Sequence, residues 1–405
     1  MKKFIMYGAG NIGRGFIGQI FSANDYSVGF IDINKEVIGR LNQDKCFPVE
    51  VVSNEGTEQI IVKNAYGIDG NDLELVANEI ASADMMATAI GVNVLKFIAK
   101  PIALGLKKRF ENNATAFNII ICENLIGADE FLKGLIKEQI PEYAERIDKE
   151  IGFVEASIGR MVPVVPEEKK QGNPLRVFVE PYNILPVDKD AFKGEIPKIS
   201  NLYPYAPFNL FIQRKLFMHN MSHATCAYLG YLKKCEYIYQ AIDDYEIRYC
   251  VYRALVSSAL ALAKETSADV SWLLSHADNL IYRFTNVQLG DTIVRVGKDT
   301  KRKLGTNDRL IGALKLAEKH DIDATYVCVG IAAGMLFNPK DDNSSCELYE
   351  YAKINGVEKT LKEFSNYTGK YVSLIKSIYE MYSKGLSTKD VIRACSKKSN
   401  NVIIV

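Results

Sequence analysis

The ten residues Arg214–His223, RKLFMHNMSH, hold two of the four histidines in a chain of 405 residues, together with Lys215 and Asn220. A lysine desolvated in a cleft can have its pKa pulled towards neutrality and act as a base at working pH. Asparagine and histidine side chains can donate hydrogen bonds to an oxygen that gains negative charge. Lys215, Asn220 and His223 therefore suit removal of a proton from an alcohol while its oxygen is held. On an ideal α-helix Asn220 lies at about 140° and His223 at about 80° from Lys215, so all three can face one cleft. On spacing alone the same residues also suit a snorkelling lysine, a solvated asparagine and a satisfied core histidine. His219, one turn before His223, reads as a supporting partner or a bystander. Neither the histidines nor the eight cysteines and the carboxylates fall in ligand spacing, so no metal is expected.

Oxidising an alcohol carbon also needs a hydride acceptor, and the N-terminus offers a place for one. YGAGNIGRGFIG carries G-x-G-x-x-G at Gly8, Gly10 and Gly13, after the apolar run KFIMY and at the start of a helical stretch. Gly8 permits a tight turn, Gly10 lets the backbone approach a pyrophosphate, and Gly13 permits close packing of helix on strand, with the helix N-terminus attracting phosphate. Asp32 ends the next strand-like run, nineteen residues beyond Gly13, where a carboxylate can accept hydrogen bonds from an adenosine ribose. A carboxylate there repels a 2′-phosphate, so NAD is favoured over NADP, lying over Gly8, Ala9, Gly10, Asn11, Ile12 and Gly13. The alternative is a tight turn with Asp32 capping the following helix. Arg14 suits either a phosphate contact or a surface ion pair.

The elements that must position these residues differ between the two halves. Strand-like runs at Lys3–Tyr7, Ser27–Asp32, Asp84–Ile90, Phe117–Cys122 and Ile151–Ile158 alternate with helical patterns, the order of a Rossmann-type doubly wound sheet. Phe47–Lys63, two alternating runs about an SNEG turn, predicts an inserted hairpin. From about Phe208 long amphipathic segments replace strands, so the fold class is α/β: an N-terminal Rossmann-type sheet, residues 1–195, followed by an all-α domain, residues 196–405. Fifty Lys plus Arg against 49 Asp plus Glu give no electrostatic reason to expect nucleic acid or an anionic membrane as partner. The longest stretch free of charged residues and histidine, Ala324–Pro339, is shorter than a membrane span and reads as a buried helix. Scattered cysteines and the lack of a signal-peptide pattern suit a reducing, cytoplasmic setting.

GAGNIGRGFIG followed by DIN, then TAIGVNVL, IIICENLIGA, GFVEASIGRMVP, RKLFMHNMSHATCAYLG and RKLGTNDRLI together resemble the polyol-specific long-chain dehydrogenase family. The matches run in order from residue 4 to about residue 310, and the length suits the shorter members that use phosphorylated sugars. The resemblance implies that K-x4-N-x2-H falls on Lys215, Asn220 and His223, with the lysine as general base and the other two polarising the oxygen. It implies an NAD-dependent exchange between mannitol 1-phosphate and fructose 6-phosphate, a small-molecule partner. Glu123 and Asn124 fit a C-E-N strand end where a cofactor or substrate contact is expected, a structural turn being the alternative. Two positions depart from the pattern. Gly159 precedes Arg160 where relatives commonly read D-R in a region expected near the substrate, and Gln213 stands where an acid often precedes the lysine by two. An unphosphorylated polyol or a hexuronate is the alternative substrate class, and a nucleotide sensor without turnover the alternative function.

A phosphorylated substrate needs cations. TIVRVGKDTKRKLGTNDRL, which follows Asp291, gathers Arg295, Lys298, Lys301, Arg302, Lys303 and Arg309 in a chain of net charge +1. Arg295, Arg302 and Lys303 are the candidates for the phosphate, since planar guanidinium groups bind phosphate oxygens bidentately. A solvated basic loop, with Arg309 paired to a local acid, is the alternative.

Overall fold

The computed structural model describes residues 1–114, 116–164 and 167–399. The chain divides into two compact units, Met1–Phe211 and Ile212–Val405. The strands of the first unit are β1 (Lys2–Tyr7), β2 (Tyr26–Asp32), β3 (Cys46–Ser53), β4 (Gly56–Lys63), β5 (Ala65–Asp69), β6 (Met85–Thr88), β7 (Phe117–Ile121), β8 (Ile151–Glu155), β9 (Val177–Val179), β10 (Leu185–Asp188) and β11 (Leu202–Tyr205). Six of them form one parallel sheet in the order β5-β2-β1-β6-β7-β8. Counting only these six along the chain, the order is 3-2-1-4-5-6, the doubly wound arrangement in which the chain reverses direction beside β1.

Successive side chains of a strand point to opposite faces, and β1 serves both. Phe4 and Met6 join the apolar cluster of Phe16, Ile20, Val28 and Phe30, whereas Ile5 and Tyr7 join that of Ile31, Ile80, Leu106 and Ile119. Burial on both faces is why these strands read as continuous apolar runs. The hairpin expected within Phe47–Lys63 is present as antiparallel β3 and β4, and β9 extends it to three strands. The segment after residue 195 contributes β11, which pairs in parallel with β10 within the first unit.

The second unit is helical. Tyr245–Thr266, capped by the Asp244 carboxylate accepting from the backbone N–H of Glu246 and Ile247, packs against Met221–Leu232, Val270–Phe284, Arg309–Lys319 and Thr325–Gly334. Thr325–Gly334, inside the uncharged stretch, is buried along most of its length. Among the described residues no helix is long and apolar enough to cross a membrane, and all eight cysteines are free thiols.

Candidate active site

In the first unit the glycine loop joins the C-terminal end of β1 to a helix that starts at Asn11 and widens into a π-helical segment, Gly13–Gly18. Gly8 has φ +106°, and a Cβ there would lie 2.5 Å from Ala89 O. A Cβ on Gly13 would lie 2.1 Å from Gly8 O, so the helix sits directly against the turn. Gly10 differs: nothing lies within 4 Å of its Cβ position. Two glycines are thus required by the protein's own packing, and the third leaves open space where a pyrophosphate would approach. Asp32, at the end of β2, accepts from the Ala9 N–H at 2.8 Å through Oδ2 and from the Asn34 N–H at 3.0 Å through Oδ1. The acid, the turn and the helix start are therefore one construction, and the residues fit a dinucleotide.

Other residues read from the sequence are held differently. Arg14 is buried and donates to Ala9 O and Pro174 O, bracing the loop from beneath, and burial lowers its pKa to about 10. Glu123 accepts from the N–H groups of Ile90 and Gly91 at 3.0 and 2.9 Å, one on each oxygen, and so straps the loop after β6 to the end of β7. Asn124, next to it, is exposed. Arg160 is turned inward: it donates to Glu180 O at 2.9 Å, Gly15 O at 3.0 Å and Gln19 Oε1 at 2.5 Å. It cross-links the segment after β8 to the helix of the glycine loop. Beside it, the Tyr182 ring stands 3.3 Å from where a Gly159 side chain would begin.

In the second unit Lys215–Asn220 is π-helical, continuing Asn209–Arg214 and leading into Met221–Leu232. The Met221 N–H reaches Leu216 O, five residues back. An i→i+5 turn closes near residue i+5, whereas an α turn closes near i+4. The wide turn therefore brings Asn220 round towards the face that carries Lys215, where an α-helix would have set them about 140° apart. Phe217 packs on Gly312, whose missing side chain admits the ring.

His223 stacks on Phe284 with centroids 4.8 Å apart and planes at 15°. Its Nε2 lies 3.4 Å from Asp291 Oδ2. Burial lowers the proton affinity of the ring, Asp291 opposes that, and Arg295 and Lys303 add to it. His219, 6.0 Å away between centroids, is pushed well below the usual histidine range by burial, with Arg283, His223, His276 and Lys215 acting in the same direction. Arg214, the residue before the lysine, lies over the Trp272 ring at 4.5 Å. Gln213 has a buried Oε1 without a hydrogen-bond partner among the described residues.

The basic segment is extensively paired. Arg295 binds the Asp291 carboxylate, Arg302 donates to Asp299 at 2.6 Å, Arg309 to Asp308 at 2.8 Å, and Lys301 pairs with Glu347. Lys303 is buried, its ammonium donates to Val296 O, and burial lowers its pKa to about 7, helped by Arg309 and Arg302. Arg295 and Lys303 both act on His223, which places them near that ring. Asp291 did not stand out in the sequence; a lone acid far along the chain from His223 carries no spacing signal.

A family model described as the mannitol dehydrogenase Rossmann domain matches residues 2–201, and one described as the mannitol dehydrogenase C-terminal domain matches residues 208–402. The chain is similar to the mannitol-1-phosphate 5-dehydrogenase of Thermoanaerobacter pseudethanolicus, 36% identical over 396 residues that cover 95% of this chain and 100% of that protein. It is similar to that of Geobacillus stearothermophilus, 35% identical over 366 residues covering 89% and 94%. Among solved structures, a substrate-free D-sorbitol dehydrogenase aligns with TM-score 0.81 at 16% identity, covering 96% of this chain and 94% of that one. Pseudomonas fluorescens mannitol 2-dehydrogenase, in ternary complex with NAD and D-mannitol, aligns with TM-score 0.76 at 14% identity, covering 98% and 94%. At such identities the likeness is one of fold.

Proposed function

The chain belongs to the mannitol dehydrogenase family, and on that premise we propose that it is an NAD-dependent oxidoreductase interconverting D-mannitol 1-phosphate and D-fructose 6-phosphate. The observation that carries this reading is likeness at 35–36% identity, over nearly the whole chain, to proteins named for that reaction. The cofactor-binding residues are Gly8, Ala9, Gly10, Asn11, Ile12, Gly13 and Asp32, with Glu123 shaping the adjacent loop and Asn124 beside it. NAD, when bound, supplies the hydride acceptor. The Asp32 carboxylate accepts from ribose hydroxyls and disfavours a 2′-phosphate by charge.

In the oxidative direction Lys215 takes the hydroxyl proton as hydride leaves the same carbon. Asn220 donates to the oxygen through its amide, and His223 donates once its ring is charged, so the oxygen is held as negative charge develops. In the reverse direction the Lys215 ammonium returns the proton to the carbonyl oxygen. Arg295, Arg302 and Lys303 supply cations for the phosphate. Arg160, with its donors used inside the first unit, is left out of the substrate contacts. Incubation of mannitol 1-phosphate with NAD tests the reading: fructose 6-phosphate and NADH should form in equal amounts. No NADH with mannitol 1-phosphate, but NADH with mannitol or a hexonate, would point to the unphosphorylated substrate class.

A further inference from the structure

Asp291 sits between two residues of the proposed chemistry. Its Oδ2 lies 3.4 Å from His223 Nε2, and its Oδ1 accepts from the Arg295 guanidinium. Asp291 is 6% exposed. Its backbone is anchored as well, since Asp291 O accepts from the Ile238 N–H at 2.9 Å and Thr292 bridges to Tyr237. His223 is confined on its other side by the stacked Phe284 ring. Neither His223 Nε2 nor Asp291 Oδ2 has a hydrogen bond elsewhere among the described residues. Two buried polar atoms thus face each other with no competing partner, and a buried donor or acceptor left alone is destabilising.

We propose that Asp291 is a positioning residue for His223: it fixes the ring's orientation and holds the proton on Nε2, while Arg295 fixes the carboxylate. This rests on the reading of His223 as a group that holds the substrate oxygen. The consequence concerns Nδ1. With Nε2–H directed at Asp291, the neutral ring has its lone pair on Nδ1, and it becomes a donor at Nδ1 only on taking a second proton. Asp291 stabilises that charged ring. The other charged groups facing His223, Arg295 and Lys303, disfavour it, and so does burial; His219 beside it is held neutral in surroundings that include Arg283, His276 and Lys215. Asp291 is the one acid in this set, so its loss lowers the proton affinity of the ring, whereas loss of Arg295 raises it.

The chain has only four histidines, so NMR of labelled histidine rings, assigned with His223→Asn, reads the titration of His223 directly and without substrate. In Asp291→Asn the His223 midpoint should fall by about one pH unit, roughly tenfold in proton affinity, and Asp291→Glu should restore much of it. In Arg295→Gln it should rise, which gives a second test should Asp291→Asn fold poorly. In NADH-linked reduction of fructose 6-phosphate, Asp291→Asn should lower kcat about tenfold or more, leave the KM for NADH unchanged, and move the alkaline limb of the kcat profile to lower pH. A His223 midpoint unchanged in both folded variants overturns the proposal. A parent protein inert towards fructose 6-phosphate overturns the function reading instead, and the ring titration still decides the role of Asp291.

Discussion

Asp32 reaches back across the top of β1 and accepts from the Ala9 N–H at 2.8 Å, so the acid proposed to read the ribose also holds the turn proposed to cradle the phosphates. A hydrogen bond to a charged group contributes about 1.5–3 kcal/mol. Asp32→Ala should therefore raise the KM for NADH roughly tenfold or more and narrow the preference for NAD over NADP, because the ribose acceptor and the repulsive charge go together. Unchanged Michaelis constants for both cofactors would contradict it.

Gly8 and Gly10 should respond differently to the same added methyl group. Gly8→Ala meets Ala89 O at a backbone conformation that L residues rarely adopt, and should cost on the order of 1–3 kcal/mol of stability. Gly10→Ala meets nothing in the protein. It should melt like the parent yet bind NADH distinctly more weakly, since the methyl enters the space left for the cofactor. Equal NADH affinity in Gly10→Ala and parent, measured by fluorescence titration, would mean that the open space is not the cradle.

Arg302 and Arg295 separate phosphate capture from ring positioning. Arg302 pairs with local acids, Asp299 and Asp308, at the surface. Arg302→Ala should raise the KM for fructose 6-phosphate about tenfold, about 1.4 kcal/mol, with kcat and NADH affinity hardly changed. Arg295→Ala should alter kcat as well as KM, because Asp291 loses its clamp. If both variants keep the parent's affinity for the phosphorylated substrate, the phosphate is bound elsewhere.

Lys303 predicts a pH dependence of stability. Its folded-state pKa is lowered to about 7 by burial, against about 10.4 in the unfolded chain. Between those values the unfolded state binds a proton that the folded state lacks, so the contribution of this group to stability rises with pH across that window. Below about pH 7 both states are charged and the burial penalty is present in full. Lys303→Met should therefore gain on the parent most at about pH 6 and progressively less towards about pH 10, measured as the difference in Tm. A difference that does not change with pH would contradict a buried, readily discharged lysine.

The glycine turn, β1, β2 and the helix that carries Lys215, Asn220 and His223 were legible because each signal is local: an apolar run, glycines at fixed offsets, an acid at a strand end. β5 was not, being five residues long with Gly67 at its centre. A Cβ on Gly67 would lie 2.6 Å from Ile38 O, so that glycine answers to helix packing rather than to strand propensity. Asn343–Ser365 escaped notice as a helix because it is interrupted at Gly356, with φ +79°, and mixes charged and apolar residues without a clean stripe. The π turn at Lys215–Asn220 has no composition of its own, since a widened helix uses the same residues as an ordinary one. Arg160 was expected near the substrate on its neighbours' pattern. Its inward course depends on Gly15, Gln19 and Glu180, far away in sequence, and no local reading contains them.

Reduction of a phosphorylated ketose with NADH at a lysine-based site is tested most directly by NADH oxidation by purified protein with fructose 6-phosphate and with fructose, in the parent and in Lys215→Met. The parent should use fructose 6-phosphate with kcat/KM at least about tenfold above that for fructose, a margin of about 1.4 kcal/mol. Lys215→Met should lose about 10²- to 10⁴-fold in kcat, the usual scale of general acid–base catalysis, with NADH affinity retained. Equal use of fructose and fructose 6-phosphate would contradict the phosphate assignment, and parent-like turnover in Lys215→Met would remove the lysine from the chemistry.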